Sequence, residues 1–499
     1  MPETAEKPAM PDTLSVEAYV AEVLAALTPL PAVDTPLFAA HGLVLAQDVT
    51  AALPVPPWTN SAMDGYAVRA RDTESAVPQA PVILPVAGDV PAGTAPAPLV
   101  PGTAQRIMTG AMLPENADAV VKVEDTDQAP GPHPPPAEVG IRVAARPGLN
   151  VRQAGEDVGI GDSVLTAGTL MTATAVASLA SVGLSAVRAF PRPRVAVVST
   201  GAELVEPGQE LPAGAIPDSN SLLLAGLVAE HGARLASVSR SGDTAESLAM
   251  ALIEAARGAD LIVTSGGVSA GAFDPLVMLA EDDEDGENVE NTADGTVRLR
   301  LSKVAMQPGK PQGHGVVRIE DGGTHRQVPI ITLPGNPVSV LVSFITVVAP
   351  ALARLAGRDS VPGPLPGSGV RRPHDALSMR ARAAAAWRTP PGRRQHIPVR
   401  FVQAPARASV EDMEDMENSA PGAAAESTER AECAERTEST GSTASPVLWV
   451  EPTHRLGSGS HLVASMAAAE ALAVVGEEVA EVAVGDEVGL IALNRTHLH

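Results

Sequence analysis

Single carboxylates and hydroxyls stand among small residues at two points early in the sequence, where they could meet an anionic ligand. Residues 56–68 read PPWTNSAMDGYAV, so the carboxylate of Asp64 could be presented to a ligand. Residues 106–125 contain Thr109-Gly110, a hydroxyl beside a flexible backbone that suits an oxyanion. Taken alone, the first segment is better explained as a turn in which Asp64 bonds its own backbone, and the second as a β-turn at Thr109-Gly110.

Three further carboxylates have both a functional and a structural interpretation. Glu203 follows an apolar run in VVSTGAELVEPG and could hold a metal ion or a hydroxyl, or be a solvated turn residue. Asp243 lies in SGDT, and either it or Thr244 could be the N-cap of the next helix. Asp274 precedes Pro275 in TSGGVSAGAFDP, and an N-cap followed by proline explains that pair without any function.

Three loops, the glycine-rich start of TSGGVSAGAFDP among them, offer backbone N–H groups, hydroxyls and one cation. Backbone N–H groups near a helix N-terminus bind phosphate and other anions, and glycine lets them approach closely. The prolines of MQPGKPQGHG stiffen a loop that presents a lysine, and LPGNPVS has the pattern of a strand, a turn and a helix start. The candidate substrate-binding residues are Ser265, Gly266, Gly267, Ser269, Pro308, Lys310, Pro311, Asn336 and Ser339.

Alternating strands and helices are needed to position these loops. The predicted strands are Val195–Val198, Leu235–Val238, Leu261–Val263 and Ile330–Leu333, and the predicted helices are Ser221–His231 and Thr244–Arg257. This alternation predicts parallel β-α-β units. Ligands of such sheets gather at the carboxyl ends of the strands, which is where the loops lie.

The rest of the chain predicts smaller domains around this segment. Ser15 is a predicted N-cap of a helix through Leu27, and residues 163–187 and 338–352 are predicted core helices rather than membrane spans. The predicted domains are residues 12–56 with 142–187 as an N-terminal linker domain, 57–141 as an inserted small β domain, 188–357 as an α/β domain, and 360–499 as a C-terminal β domain interrupted by a disordered acidic insertion at 407–446.

Composition excludes several classes of function. The 499 residues carry a formal net charge of −24, which argues against a nucleic-acid surface, and a first acidic run at 281–290 precedes the acidic insertion at 407–446. A single cysteine, Cys433, rules out an intrachain disulfide and argues against a thiol mechanism. The N-terminus lacks the basic and apolar parts of a signal peptide, so a cytoplasmic location without membrane attachment is predicted.

Taken together, these motifs closely resemble the MoeA family, the molybdopterin molybdenumtransferases, which includes the E domain of gephyrin. The resemblance runs from about residue 14 to about residue 356 and is looser beyond. The blocks SAMDGYA, TGA-LP--ADAVV--E, STG-EL, SGGVS-G, PGKP and LPGNPVS all occur in the order of the family. The resemblance implies a multidomain α/β protein: a central MogA-like domain with a mainly parallel sheet, an elongated helical linker domain, a small inserted β domain and a C-terminal β-barrel-like domain.

The resemblance also implies an activity. Family members take adenylylated molybdopterin, insert molybdate at its dithiolene and release AMP with the finished molybdenum cofactor, assisted by Mg²⁺. A homodimer is implied, with molybdopterin adenylyltransferase as the partner in the pathway. The implied functional residues are Asp64, Thr109, Glu203, Asp243, Asp274, Pro308 and Pro311, of which Glu203, Asp243 and Asp274 are the implied metal ligands, while Lys310 and Ser339 are added as candidates for molybdate contact.

The sequence departs from the MoeA pattern at two positions, and three alternative functions are consistent with parts of it. Val277 stands where family members often have lysine, and His314 stands where an aromatic residue is usual. Molybdopterin adenylyltransferase shares the SGGVS type of loop, but that activity explains neither SAMDGYA nor PGKP. A non-catalytic scaffold would tolerate loss of the carboxylates. A tungsten-handling relative stays open because tungstate and molybdate have nearly the same size and charge.

Overall fold

The computed structural model describes residues 13–267, 274–280, 289–292, 295–321, 323–358, 379–389, 392–405, 447–454 and 463–493. The chain divides into two compact units, Met1–Pro31 with Pro191–His499, and Ala32–Phe190. Ser269, residues 281–288 of the first acidic run and the predicted insertion 407–446 lie outside the described residues.

The first unit is built on a seven-stranded sheet. Its strands are β1 (Arg194–Thr200), β2 (Arg234–Ser241), β3 (Leu261–Ser265), β4 (Val289–Thr292), β5 (Gly295–Lys303), β6 (Pro311–Asp321) and β7 (Thr324–Leu333), in the order β2-β1-β3-β7-β6-β5-β4. The pairs among β2, β1, β3 and β7 are parallel, which confirms the four predicted strands and their β-α-β arrangement. The other half is antiparallel because short connections join its consecutive strands.

Helices cover both faces of this sheet. They are α1 (Val16–Ala25), α2 (Ser219–Glu230), α3 (Ala245–Gly258), α4 (Pro275–Ala280) and α5 (Pro337–Leu355), the last including a π-helical segment at Phe344–Val348. Side chains at the first residues explain where three of them begin. Ser15 accepts from the Ala18 N–H, Asp218 from Ser221 and Thr244 from Ser247, each as an N-cap.

Successive residues of the parallel strands supply two separate cores, as the period of two in a strand requires. Val195 and Val197 of β1 pack with α1, α2 and α5 on one face. Ala196 and Val198 pack with α3 and α4 on the other. Because both faces are covered, β1 and β3 read as continuous apolar runs, which made them visible in the sequence.

The position of α1 differs from the prediction. Residues 12–56 were predicted as linker domain, but Val16, Tyr19, Val20 and Val23 are buried in the core of the α/β sheet. Helical spacing shows that these residues share one face of a helix, but it carries no information about which domain buries that face. Helix α1 is thus a covering layer of the α/β domain.

The second unit contains a five-stranded sheet. Its strands, in spatial order, are Ala119–Lys122, Gly65–Val68, Ala104–Ile107, Val82–Val90 and Glu138–Ile141. Tyr66, Val68 and Val121 are buried within its core. SAMDGYAV therefore runs directly into a central strand of a small β domain, so the sheet holds the backbone beside Asp64.

Residues 163–187 do not form the single buried helix that was predicted. The segment is divided among the strand Ser163–Leu165, the nine-residue helix Ala173–Ser181 and the start of the strand Ala186–Phe190. Gly168 and Gly183 adopt φ values of +84° and +88°, which interrupt a right-handed helix on either side. The uncharged segment thus contains several short elements rather than one buried helix.

The C-terminal region forms a closed five-stranded barrel, as predicted. Its strands are Met379–Ala383, Arg394–Val402, Trp449–Pro452, Ala471–Val475 and Glu487–Ala492. Closure comes from the pairing of Arg394–Val402 with Ala471–Val475. The short strand Met306–Gln307 of the α/β domain adds to the barrel in parallel with Arg394 and Gln395.

Helix α5 is the one helix of the described residues that is long and apolar enough to cross a membrane. It has 19 residues, and 78% of its apolar window is buried inside the protein. Packing against the α/β core accounts for its apolar character, which confirms the predicted core helix. Pro350 is accommodated in the first turn of its final segment, Ala349–Leu355.

A buried histidine in the barrel predicts a pH-dependent loss of stability. Burial, with Arg394 as a second cause, lowers the pKa of His396 to about 4 from its usual 6.5. The unfolded chain therefore takes up a proton at His396 below pH 6.5 while the folded chain stays neutral until about pH 4. This term is fully favourable above pH 6.5 and is lost as the pH falls towards 4, on the order of 3 kcal/mol in all.

Urea denaturation of wild type and His396→Leu across this pH range measures the effect. We expect the variant to lose less stability than wild type between pH 6.5 and 4. His325→Leu is the matched control, because the His325 side chain is 85% exposed. Parallel pH profiles for wild type and His396→Leu would contradict the prediction.

Candidate functional site

The carboxyl ends of β2, β1, β3 and β7 meet at one edge of the sheet, because these strands are parallel and adjacent. Buried hydroxyls lie at this edge: Thr200 ends β1, Ser241 ends β2 and Ser265 ends β3. Among the described residues, the Oγ atoms of Ser241 and Ser265 have no hydrogen-bond partner. Buried hydroxyls without a protein partner are suited to hydrogen-bond a ligand.

The glycine loop after β3 lies against the end of β1. Gly266 and Gly267 have φ values of +89° and +74°. A Cβ on Gly266 would lie 2.6 Å from the Thr200 carbonyl oxygen, and one on Gly267 would lie 2.8 Å from Thr200 Oγ1. Both conformation and space therefore require glycine, which leaves the backbone of this loop accessible to a ligand.

Asp274 is both a helix cap and a neighbour of the glycine loop. Its Oδ1 accepts from the Leu276 N–H at 3.3 Å and its carbonyl accepts from Met278 at 3.0 Å, so it caps α4 with Pro275 in the first position. A Cβ on Gly267 would lie 3.1 Å from Asp274 Oδ1. Asp274 is therefore a helix cap, which is the structural interpretation of this residue. Its buried carboxylate nevertheless lies beside the glycine loop.

Glu203 and Asp243 are exposed and follow the ends of two adjacent strands, β1 and β2. The Glu203 carboxylate folds back over Gly201, where an added Cβ would lie 2.6 Å from Oε2. Thr244 accepts from the Ser247 N–H at 3.1 Å, so the helix cap is Thr244 rather than Asp243. The cap therefore makes no use of the Asp243 carboxylate.

The predicted three-carboxylate metal site is not assembled. Within the described ranges, no group of three or more His, Cys, Asp or Glu side chains could hold a metal ion. The physical reason is that the Asp274 carboxylate caps the helix that follows it, whereas Glu203 and Asp243 lie on exposed loops. Sequence motifs placed all three at one sheet edge but could not specify where the side chains point.

A buried polar group that the sequence motifs did not indicate also lies at this edge. Asp218 is 5% exposed, and its Oδ2 accepts from Ser199 Oγ at 3.0 Å and Ser221 Oγ at 2.7 Å. Asn220 Nδ2 donates to the Gly335 carbonyl at 2.6 Å. The signal was the segment PDSNS, an Asp followed by small polar residues, which marks a helix start two residues before the predicted one.

The LPGNPVS segment forms the predicted strand, turn and helix start. Asn336 is the N-cap of α5, its carbonyl accepts from Val340 at 2.9 Å, and Pro337 is in the first turn. Ser339 is buried in that turn. The Gly335 carbonyl is held by Asn220, so α2 and the start of α5 are joined at the same edge.

The PGKP loop joins the short strand Met306–Gln307, which pairs with the barrel, to β6. Pro308 and Pro311 flank Gly309, which has a φ of +107°, and Lys310, which is half-buried. Arg393 of the barrel donates from Nη1 to Gln307 Oε1 at 3.1 Å, directly before the loop. The prolines and this contact restrict the loop that presents the lysine.

In the second unit, the structure brings Asp64 and Thr109 together across 45 residues of sequence. Asp64 Oδ1 accepts from the Thr109 N–H at 2.6 Å and from Thr109 Oγ1 at 2.7 Å. These two bonds lower the pKa of the Asp64 carboxyl, so the group is ionised at neutral pH. The alternative of an Asp bonded to its own turn is therefore replaced by a bond between two motifs.

Backbone pairing holds these two motifs in place. The Gly110 N–H donates to Ser61 O at 2.8 Å, and the Ser61 N–H donates to Ala111 O at 3.0 Å. Gly65 lies so close to the neighbouring strand that a Cβ there would be 2.0 Å from the Val121 carbonyl oxygen. The Asp64 carboxylate is therefore presented from a rigid backbone.

Comparison with known proteins follows the same division of the chain. The MoeA N-terminal region (domains I and II) matches residues 14–183, a probable molybdopterin-binding domain matches 196–354, and the MoeA C-terminal region (domain IV) matches 441–493. Molybdopterin molybdenumtransferase 2 of Mycobacterium tuberculosis is 44% identical over 76% of this chain and 85% of its own length. The chain belongs to the MoeA family.

Other members of the MoeA family agree with this assignment. Molybdopterin molybdenumtransferase of Nostoc is 36% identical over 64% of this chain and 69% of its own length. The crystal structure of a molybdopterin biosynthesis MoeA protein from Pyrococcus horikoshii superposes with a TM-score of 0.67 at 28% identity, covering 97% of this chain and all of that one. The whole architecture is thus that of a MoeA protein.

One of the two departures from the MoeA pattern has a local structural explanation. His314 packs edge to face against Tyr19, with ring centroids 5.6 Å apart, so it fills the place of an aromatic ring. Burial lowers the pKa of His314, which favours the neutral ring. Val277 lies half-buried within α4, and the structure does not explain the absence of lysine there.

Proposed function

We propose that this MoeA protein inserts molybdenum from molybdate into adenylylated molybdopterin and releases AMP. Molybdenum insertion in cofactor biosynthesis is the activity of its family, whose curated members are transferases. The observation that supports it most directly is the ionised Asp64 carboxylate. It is held by two hydrogen bonds from Thr109, on a backbone fixed by hydrogen bonds between the two motifs. The adenylylation alternative does not explain the SAMDGYA motif that carries Asp64.

The α/β domain supplies groups for the phosphates of the substrate. The Gly266 and Gly267 backbone offers N–H groups, and the buried Ser241 and Ser265 hydroxyls supply donors that have no protein partner among the described residues. Phosphate oxygens accept hydrogen bonds, so these groups bind and orient the adenylyl end. Lys310 and Ser339 offer an ammonium and a hydroxyl to the molybdate dianion.

Mg²⁺ fits the carboxylates at this edge, although not as a closed protein cage. Magnesium is commonly held by one or two carboxylates and substrate phosphates and keeps several waters. Glu203 and Asp243, exposed after adjacent strands, have that chemistry. Each would repel a phosphate by about 4 kcal/mol at close range with an effective dielectric of about 20. A cation held by Glu203 and Asp243 would reverse that sign and would polarise the phosphoryl group.

We further propose a cytoplasmic homodimer that receives its substrate from molybdopterin adenylyltransferase. Support for the dimer comes from exposed large apolar side chains on the second unit, such as Phe38 and Ile160. Sedimentation equilibrium tests the dimer, and a monomer at micromolar concentration would contradict it.

Turnover of adenylylated molybdopterin with molybdate and Mg²⁺ tests the activity. We expect AMP release that depends on molybdate and is lost on chelation of magnesium. A parallel reaction with ATP and molybdopterin separates the main alternative. Pyrophosphate release without any need for molybdate would replace the proposed function by adenylylation.

A further inference from the structure

Gln312 is a buried polar side chain directly after the PGKP segment. It is 0% exposed, and its Nε2 donates to the Gly309 carbonyl at 2.7 Å and to Ser343 Oγ at 2.6 Å. An amide nitrogen carries two hydrogens, so these two short bonds use its donor capacity, and the sulfur of Met306 lies farther away at 3.9 Å. One side chain thus joins the PGKP turn to helix α5.

The turn itself is closely packed around this side chain. A Cβ on Gly309 would lie 2.9 Å from Ser343 Oγ and 3.2 Å from Gln312 Nε2. On the other side, the Val304 N–H donates to the Lys310 carbonyl at 2.8 Å. The backbone that presents Lys310 is therefore held at Gly309 by Gln312 and at Lys310 by Val304.

The bond to Ser343 also orients the turn relative to the start of α5. Ser339 and Ser343 are four residues apart in a helix, so they lie on the same face one turn apart. Both are buried. The PGKP turn therefore lies beside the helix face that carries Ser339, although Lys310 and Ser339 are far apart in sequence.

We propose that Gln312 is a positioning residue that fixes Lys310 and Ser339 in the relative placement that binding of the oxyanion substrate requires. The proposal rests on the proposed function. Gly309 has access to many backbone conformations, so without the two donors its carbonyl and the Ser343 hydroxyl lose their partner and the turn shifts. Gln312 acts through these groups, so its loss weakens molybdate binding more than the chemical step.

The substitution Gln312→Met tests this, because methionine has a similar length and no donor. In the AMP-release assay we expect the KM for molybdate to rise about tenfold, equivalent to about 1.4 kcal/mol, with kcat within about twofold of wild type. Gln395→Met is the matched control. Gln395 is also 0% exposed, and within the described part of the chain neither of its amide atoms has a partner. We expect its KM to match wild type.

Ser343→Ala is a second, milder variant that removes one acceptor and retains the Gly309 bond. We expect about a threefold rise in KM, and no further rise when it is combined with Gln312→Met, because both act through the same bond. If Gln312→Met does not fold, Ser343→Ala and its KM decide the question.

Two results would overturn the proposal: an unchanged KM in both variants, or a fall in kcat at constant KM. Absence of molybdate-dependent AMP release in wild type would instead overturn the proposed function. Calorimetric titration of wild type and Gln312→Met with molybdate alone distinguishes failure of the positioning role from failure of the proposed function. Weaker binding in the variant supports the positioning role, and equal binding rejects it.

Discussion

Replacement of Asp64 by asparagine is expected to lower molybdate-dependent AMP release by about two to three orders of magnitude. Thr109 holds Oδ1 through two short hydrogen bonds, and these keep the carboxyl ionised. Asparagine retains one oxygen that can accept the same bonds, but it removes the charge and replaces the other carboxylate oxygen by an NH2 donor. Because Oδ2 accepts no hydrogen bond from the described residues, it is the atom that can meet a cation or orient the substrate.

The control for this variant is Asp118→Asn in the same small β domain. Asp118 also accepts a backbone N–H through Oδ1, from Ala70 at 2.6 Å. We expect Asp118→Asn to retain wild-type turnover, and both variants to keep a wild-type far-UV spectrum. Unchanged AMP release in Asp64→Asn would remove Asp64 from the catalytic residues and would favour a non-catalytic scaffold.

The substitution Gly266→Ala is expected to abolish turnover and to destabilise the protein. The positive φ alone costs roughly 1–3 kcal/mol for a residue with a side chain. The added methyl group would also lie 2.6 Å from the Thr200 carbonyl oxygen, which belongs to a strand paired on both sides and cannot move aside. The loop must therefore shift away from the sheet edge where its N–H groups are needed.

The control for Gly266→Ala is Gly323→Ala, which separates strain from displacement. Gly323 has a φ of +79° in the hairpin before β7, and no atom lies within 4 Å of an added Cβ. We expect Gly323→Ala to reduce the urea midpoint while leaving kcat/KM unchanged, and Gly266→Ala to reduce both. Normal turnover in folded Gly266→Ala would show that this loop does not bind the substrate.

Local patterns in the sequence were sufficient wherever one element carries its own signal. The apolar runs of β1, β3 and the end of β7 are continuous because both faces of the sheet are covered there, whereas β2 is an exposed edge strand. Ser15, and Asn336 with Pro337, mark helix starts because capping involves only neighbouring residues. The small β domain and the barrel were recognisable for the same reason, from short runs bounded by turn residues.

The sequence could not predict the directions of the side chains at the sheet edge. Glu203, Asp243 and Asp274 all follow predicted strand ends, yet they are not gathered into one metal site. Asp274 is turned by its own helix cap, and Thr244 rather than Asp243 caps α3. Two neighbouring residues had equal capping ability, so only the backbone conformation decided between them.

By itself, the sequence determined the succession of strands and helices, the loops that follow the strands, and the order of motifs that resembles the MoeA family. Only the tertiary structure decided that Thr109 bonds Asp64, that α1 covers the α/β sheet, and that Gln312 joins the PGKP turn to α5. The physical reason is the distance along the chain over which each kind of interaction acts. Propensity, periodicity and capping act over one or two turns of chain, whereas these contacts join segments far apart in sequence whose pairing depends on how the sheets and helices pack.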